Sequence, residues 1–280
     1  MATSRPRSLI LSFYGAFVRQ LDGWIAVSHL LTLMAEINLD PQAVRSSMSR
    51  LKQIGWLAAS RRNGAAGYAL SSVARAALDA GDERIYGAQR AADLADGWAV
   101  VVFSVPEHRR ADRHLLRSRL TWLGFGAPAP GVWIAPRRLL DPTRAMLESL
   151  GLAGYVDLFH ATYTGFGDAR SLVARCWDLD GVRAQYAEFI AVHRPVDRAW
   201  RQRAGSERDA FADYLAALDR WRGLPFLDPG LPAELLPPGW EGRTASELFA
   251  RLRERLAGAA LEHVRRVVEG PVARESSIHG

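Results

Sequence analysis

Asp40-Pro41-Gln42-Ala43-Val44-Arg45-Ser46-Ser47-Met48-Ser49-Arg50-Leu51-Lys52-Gln53-Ile54-Gly55-Trp56-Leu57 carries its own start and stop signals. Asp40 suits a helix N-cap, and Pro41 suits the first turn, where a missing N–H is not needed. Gly55 supplies the stop. Between them Val44, Met48 and Leu51 fall on one helical face, and Gln42, Ser46, Ser49 and Gln53 fall on the other. Arg45 and Arg50 flank the polar side. A short helix with an apolar back and a front of small polar groups bordered by arginines is what a DNA major groove accepts. The same pattern also fits an ordinary amphipathic surface helix, so its neighbours decide between the two.

Upstream, residues 8–19 read as a mostly buried helix, followed by an Asp22-Gly23 turn and a short extended piece, Trp24-Ile25-Ala26. Residues 28–37 read as a second helix with Ser28 as its cap and Leu30, Leu31, Met34 and Ala35 as its inner face. Downstream, Trp56 to Arg62, the turn signal Asn63-Gly64, and Gly67 to Ser71 read as a β-hairpin. Helix, helix, turn, helix, hairpin is the order of a winged helix-turn-helix. Ser72 to Ala80 continues as a helix, and Glu83 to Ala95 reads as a polar connector.

Beyond it the character changes. Trp98 to Val105 reads as a strand and Arg109 to Leu123 as a helix with Leu115, Leu116, Leu120 and Leu123 inward. Phe125 and Val132 to Ala135 read as paired strands around Pro128-Ala129-Pro130-Gly131, Thr143 to Leu150 as a helix, and Tyr155 to Tyr163 as a strand. Strand-helix-strand-strand-helix-strand is the ferredoxin-like order. The remainder reads as helices over 169–177, 181–193, 207–222 and 244–268, interrupted by the Pro/Gly-dense stretches Gly223 to Pro232 and Leu236 to Trp240. The fold class is therefore α+β and multidomain. Residues 1–82 form a winged helix domain, 83–96 a connector, 97–167 a ferredoxin-like domain, 168–270 a helical C-terminal domain and 271–280 a disordered tail.

At 280 residues and 49% hydrophobic, the chain can bury a sizeable core. No apolar run approaches the roughly 20 residues of a membrane helix. The N-terminus lacks signal-peptide character, and the single cysteine, Cys176, excludes an internal disulfide framework. A cytoplasmic protein with no membrane association is expected. Residues 1–92 hold 11 Lys+Arg against 6 Asp+Glu, whereas the rest holds 25 against 24. Positive charge thus concentrates on the third that carries the candidate recognition helix, as meeting a polyanion requires.

Nothing in the chain argues for an enzyme. Gly124-Phe125-Gly126 with Gly131 superficially resembles a phosphate loop, but it follows a helix and contains two prolines. No Gly-x-Ser-x-Gly elbow, Walker loop or His-Glu-x-x-His motif occurs. His29, His108, His114, His160, His193, His263 and His279 are scattered without ligand spacing, and Cys176 has no partnering base. No cofactor and no metal are expected.

Several motifs together resemble the PaaX-like family, repressors of the phenylacetic-acid degradation operon, over nearly the whole chain. They are Ser12-Phe13-Tyr14-Gly15, Val44 to Leu51 with Gly55-Trp56-Leu57, Arg84-Ile85-Tyr86 and Trp122-Leu123-Gly124-Phe125-Gly126. Further on come Cys176-Trp177-Asp178-Leu179, Arg194-Pro195, and Asp228-Pro229-Gly230-Leu231-Pro232-Ala233-Glu234-Leu235-Leu236-Pro237 with Trp240 and Gly242. The resemblance implies a winged-helix domain, a Cas2-like ferredoxin-fold middle domain and a helical C-terminal domain in a homodimeric repressor of aromatic catabolism. It also implies an acyl-CoA or aryl-CoA effector, phenylacetyl-CoA above others. Two departures stand out. The wing tip after Arg61-Arg62 is uncharged Asn63-Gly64-Ala65-Ala66, and the first middle-domain strand ends Phe103-Ser104-Val105, without the acidic residue a nuclease would want there.

On this reading Gln42, Arg45, Ser46, Ser49, Arg50 and Gln53 reach base edges or flanking phosphates of double-stranded operator DNA, Lys52 points sideways, and Arg61 and Arg62 touch the backbone from the wing. An acyl-CoA needs arginines for its phosphates and an aromatic-lined pocket for its acyl group. Trp133, Arg137, Arg138, His160 and Tyr163 are the candidates. The rivals are a metal-dependent nucleic-acid-cleaving enzyme built on the middle domain, and a DNA-binding regulator that takes no ligand.

Overall fold

The pairing of Asn63 and Gly64, both with positive φ (50° and 81°), closes the hairpin of the first of two compact units. The computed structural model describes residues 6–87, 92–203 and 205–270; the expected tail 271–280 lies outside them. The first unit takes the described residues up to 87, 189–222 and 247–270, and the second takes 92–188 and 223–246.

The first unit begins with α1 (Pro6–Ala16), β1 (Trp24–Ala26), α2 (Val27–Glu36), α3 (Pro41–Gln53), β2 (Leu57–Arg62), β3 (Ala65–Leu70) and α4 (Ser72–Tyr86). Its sheet has the order β1-β3-β2, antiparallel throughout, with Ala26 opposite Gly67 and Arg62 opposite Ala65. Asp40 caps α3 by accepting the Ala43 N–H at 2.9 Å, and Gly55 follows the helix with φ +76°. Val44, Met48 and Leu51 are buried, as the pattern requires, and Ser47 joins them on that side.

Four local expectations need correction. The first helix does not run to Arg19: α1 ends at Ala16, and Val18–Gln20 makes a separate 3-10 turn. Ser28 does not cap α2. Pairing with β3 ends β1 at Ala26, so the helix starts at Val27, and the Ser28 hydroxyl has no partner among the described residues. On the same helix Leu33, not Ala35, faces the core. Finally α4 runs through Tyr86, so the first residues of the expected connector are helical. The Ile85 carbonyl accepts Trp221 Nε1–H at 2.8 Å, and Tyr86 stacks on Phe249 at 6.3 Å under the Arg253 guanidinium.

The second unit supplies β4 (Trp98–Phe103), α5 (Arg110–Leu123), β5 (Gly126–Ala129), β6 (Val132–Pro136), α6 (Leu140–Ser149) and β7 (Val156–Ala161). The antiparallel order β5-β6-β4-β7 is that of a ferredoxin-like sheet. Alternation gives it two apolar faces. Ala99, Val101, Trp133 and Ala135 pack under Leu116, Leu120 and Leu147 of the two helices. Trp98 and Ile134 on the other face meet Leu172, Val173, Leu179, Leu231 and Leu235.

The remaining helices are α7 (Ala169–Cys176), α8 (Leu179–Gln202), α9 (Glu207–Trp221), α10 (Leu224–Leu227) and α11 (Gly242–Glu269). The expected break before Arg194-Pro195 is absent: α8 continues with Pro195 inside it. Val182, Tyr186, Phe189, Ile190, His193 and Asp197 form one buried stripe through that position, and continuous burial of the stripe outweighs one lost backbone bond. The stretch Gly223 to Pro232 likewise contains the short helix α10 rather than loop alone.

Two of the quoted motifs gain a physical account. Ser12 and Ser8 both donate to Asp219 Oδ1 at 2.7 Å, and Arg222 donates to both hydroxyls at 2.7 Å. Phe13 meets Phe211 edge-on at 6.2 Å, so Ser12 and Phe13 dock α1 on α9, while the Tyr14 hydroxyl donates to the Tyr68 carbonyl at 3.5 Å and Gly15 faces Leu78 of α4. Asp228 accepts the Tyr186 hydroxyl at 2.8 Å and the Gly230 N–H at 2.8 Å, while Tyr186 meets the Trp240 ring edge-on. A Cβ on Gly242 would lie 2.6 Å from Trp240 Nε1. The Pro-rich stretch is therefore an ordered strap pinned through one carboxylate.

Candidate nucleic-acid interface

The apolar back of α3 fixes what its front can offer. With Val44, Met48 and Leu51 buried, Gln42, Arg45, Ser46, Ser49, Arg50 and Gln53 are all exposed, and Lys52 is exposed at the margin. The Arg50 side chain makes no ion pair or hydrogen bond among the described residues, so its donors are available to an incoming acceptor. The front therefore combines amide and hydroxyl groups, which read base edges, with arginine forks, which suit guanine or phosphate.

The hairpin places Arg61 and Arg62 at its exposed end, opposite Ala66 and Ala65. Each is held locally. Arg61 Nη2 donates to the Gly64 carbonyl at 3.2 Å, and the Arg62 guanidinium lies 5.3 Å from the Trp24 ring centroid. Both keep their charge at the surface. The Trp24 ring is itself packed against Gly67, where a Cβ would come within 2.4 Å of it and 2.5 Å of the Ile25 carbonyl oxygen.

The five effector candidates are not gathered. Trp133 and Tyr163 pack into the clusters on opposite faces of the sheet. His160 is exposed and donates through Nε2 to the Asp96 carbonyl at 2.8 Å. Arg137 faces Asp141 at 3.6 Å, while Arg138 reaches the Pro229 and Gly230 carbonyls at 3.4 Å. A cavity of about 560 Å³ opens elsewhere in the second unit, and none of the five lines it. Its walls include Arg175 and Trp177, which sequence reasoning passed over. Their signal is the motif Cys176-Trp177-Asp178-Leu179, which the resemblance quotes without a role.

Among the described residues there is no group of three or more His, Cys, Asp or Glu placed to hold a metal, and no helix long and apolar enough to cross a membrane.

Three family models match the chain: "PaaX-like protein" over residues 5–74, "PaaX protein central Cas2-like domain" over 91–173 and "PaaX-like protein C-terminal domain" over 177–266. The transcriptional repressor PaaX of Escherichia coli (strain K12) is 31% identical over 264 residues, spanning 92% of this chain and 82% of its own length. Among solved structures, an uncharacterized protein from Mycobacterium tuberculosis superposes with a TM-score of 0.58 at 23% identity, covering 94% of this chain and all of that one. That likeness is one of fold.

Proposed function

The chain belongs to the PaaX-like family, and from that premise we propose that it is a DNA-binding transcriptional repressor of a phenylacetate-type catabolic operon. It is a regulator and not an enzyme, as its 31%-identical relative is a repressor. The observation that carries the DNA-binding reading is α3: a capped helix, buried along its back, whose exposed front is amide, hydroxyl and arginine. The order helix, strand, helix, helix, hairpin with sheet order β1-β3-β2 supports a winged helix-turn-helix. In that arrangement α3 enters the major groove through Gln42, Arg45, Ser46, Ser49, Arg50 and Gln53, and Arg61 and Arg62 contact the backbone. The protein acts as a homodimer in the cytoplasm, and an acyl-CoA or aryl-CoA thioester, phenylacetyl-CoA first among them, releases it from its operator.

Selection from random duplex DNA, followed by gel shift of the enriched sequence with and without phenylacetyl-CoA, tests this. A single enriched site with two-fold symmetry, released by the thioester, is the expected result. Failure to enrich any sequence overturns the repressor reading. An enriched site that no thioester releases leaves a regulator that takes no such ligand.

A further inference from the structure

We propose that the cavity walled by α7, the turn into α8 and the strap residues 235–238 is a binding site for an anion with an apolar body. The floor is built in. Val173 and Leu235 line the cavity and are also buried in the cluster beneath it. Trp177 forms a rigid wall, because its Nε1 donates to the Gly124 carbonyl at 3.1 Å and its ring stacks on Trp98 at 6.3 Å. Gly126 is what lets this wall sit so close, since a Cβ there would lie 2.6 Å from Cys176 Cβ and 2.7 Å from the Trp177 ring. The floor and the Trp177 wall offer apolar contact to the body of a ligand.

The polar groups of the rim do not cancel. Asp178 is engaged as the cap of α8, accepting the Gly181 N–H at 2.9 Å, and Asp180 is paired with Arg183 at 2.9 Å. Arg183 also holds the strap through the Pro238 carbonyl at 3.2 Å. Arg170 is aimed by an Nε–H bond to the Glu234 carbonyl at 3.0 Å. Arg175 has no ion pair or hydrogen bond among the described residues. Two guanidinium groups over an apolar floor are thus left to an outside acceptor, and carboxylates and phosphates are what such forks bind best. The volume, about 560 Å³, lies within the range for small-molecule sites. An aryl carboxylic acid and its CoA thioester share this chemistry, the first through its carboxylate and the second through its phosphates.

This assignment rests on the ligand-responsive reading above and puts the effector here rather than at Trp133, Arg137, Arg138, His160 and Tyr163. Cys176 is the chain's single cysteine and lies in the wall, so the native protein reports on the site. Burial pushes its thiol up despite the neighbouring Arg175, so alkaline maleimide labelling is the suitable probe. Phenylacetate, phenylacetyl-CoA and CoA alone are compared at saturation. We expect at least one to slow labelling by about tenfold, because a bound ligand covers most of the wall it touches.

Protection by the acid and the thioester identifies the carboxylate or acyl end as the recognised part; protection by the thioester and CoA identifies the phosphates. Arg175→Ala, at an exposed position, should weaken the protecting ligand by about tenfold or more, the loss of one charge-assisted bond. Ala174→Trp, which fills the opening, should abolish protection. If no compound protects Cys176 yet one releases DNA, the site is wrong and the regulatory reading stands. If a compound protects and both variants behave as stated but DNA binding is indifferent to it, the site stands and the regulatory reading fails. Protection unchanged in both variants overturns the site.

Discussion

Arg50 and His193 show how differently a single polar side chain can be placed in this protein. Arg50 stands on the exposed front of α3 with no partner among the described residues. Its guanidinium remains hydrated and adds little to folding, so its value lies in what it meets. If it pairs with a guanine, Arg50→Ala weakens operator binding by about 1–3 kcal/mol and relaxes preference at one base pair per half-site. A gel-shift series across operator variants reads both effects, and unchanged affinity and preference would reduce Arg50 to a solvated charge. His193 is the opposite case. It is 3% exposed, its ring centroid lies 4.7 Å from that of Phe189, and neither ring nitrogen has a partner among the described residues. Burial, and then the charge of Arg220, push its pKa down to about 4 from 6.5. Between those values the unfolded chain binds the proton at His193 and the folded chain does not, so this group costs no stability above pH about 6.5 and costs more as pH falls, by up to about 1.4 kcal/mol per unit. Denaturation midpoints across that window should slope accordingly, and His193→Phe should flatten its share of the slope; a variant with the wild-type slope would contradict the assignment.

At the scale of elements, the wing depends on one missing side chain. Gly67 sits opposite Ala26, and a Cβ there would press on the Trp24 ring and on the Ile25 carbonyl oxygen, both under 2.6 Å away. The carbonyl belongs to a paired strand and cannot retreat without breaking register, so Gly67→Ala should cost about 1–3 kcal/mol of stability by overpacking. Displacing Trp24 also frees Arg62 from its ring. Operator affinity should therefore fall while sequence preference, which α3 carries, is retained; urea denaturation and gel shift measure the two, and an unchanged denaturation midpoint would refute the strain. The same contrast between local and distant causes explains which elements can be read from sequence. The ends of α3 are legible because Asp40, Pro41 and Gly55 write them locally, and the hairpin is legible from Asn63-Gly64. The start of α2 is not, because pairing of Ala26 with Gly67 sets it, and the continuation of α8 through Pro195 is not, because burial along the helix sets it. The candidate site divides the same way. The α3 front follows from periodicity, whereas the effector candidates rest on residue type, and chemistry alone cannot tell that Trp133 and Tyr163 pack into clusters on opposite faces of one sheet.

For the molecule as a whole, charge and symmetry decide how the interface works. Residues 1–92 carry a net +5 and the remaining residues a net +1, so attraction to a polyanion is directed at the part that holds α3 and the hairpin. Attraction of that kind is indifferent to sequence and weakens steeply with salt, because it derives from counterion release. Specificity must come from the front of α3, and a 13-residue helix presents only a handful of side chains to base edges. One such helix reads too few base pairs to single out an operator among genomic competitors at about 1–3 kcal/mol per position. Two copies related by a two-fold axis double the read length, and they require half-sites separated by about 10–10.5 bp or a multiple, since both helices must enter the groove from one side of the duplex. Light scattering at micromolar concentration should therefore report a dimer, and footprinting should show two equally protected half-sites at that spacing. Inserting about five base pairs between them, half a helical turn, should rotate one half-site out of reach and abolish tight binding, while insertion of about ten should restore it in part. A monomer with a single asymmetric footprint, or affinity that ignores the five-base-pair insertion, would show that one α3 acts alone.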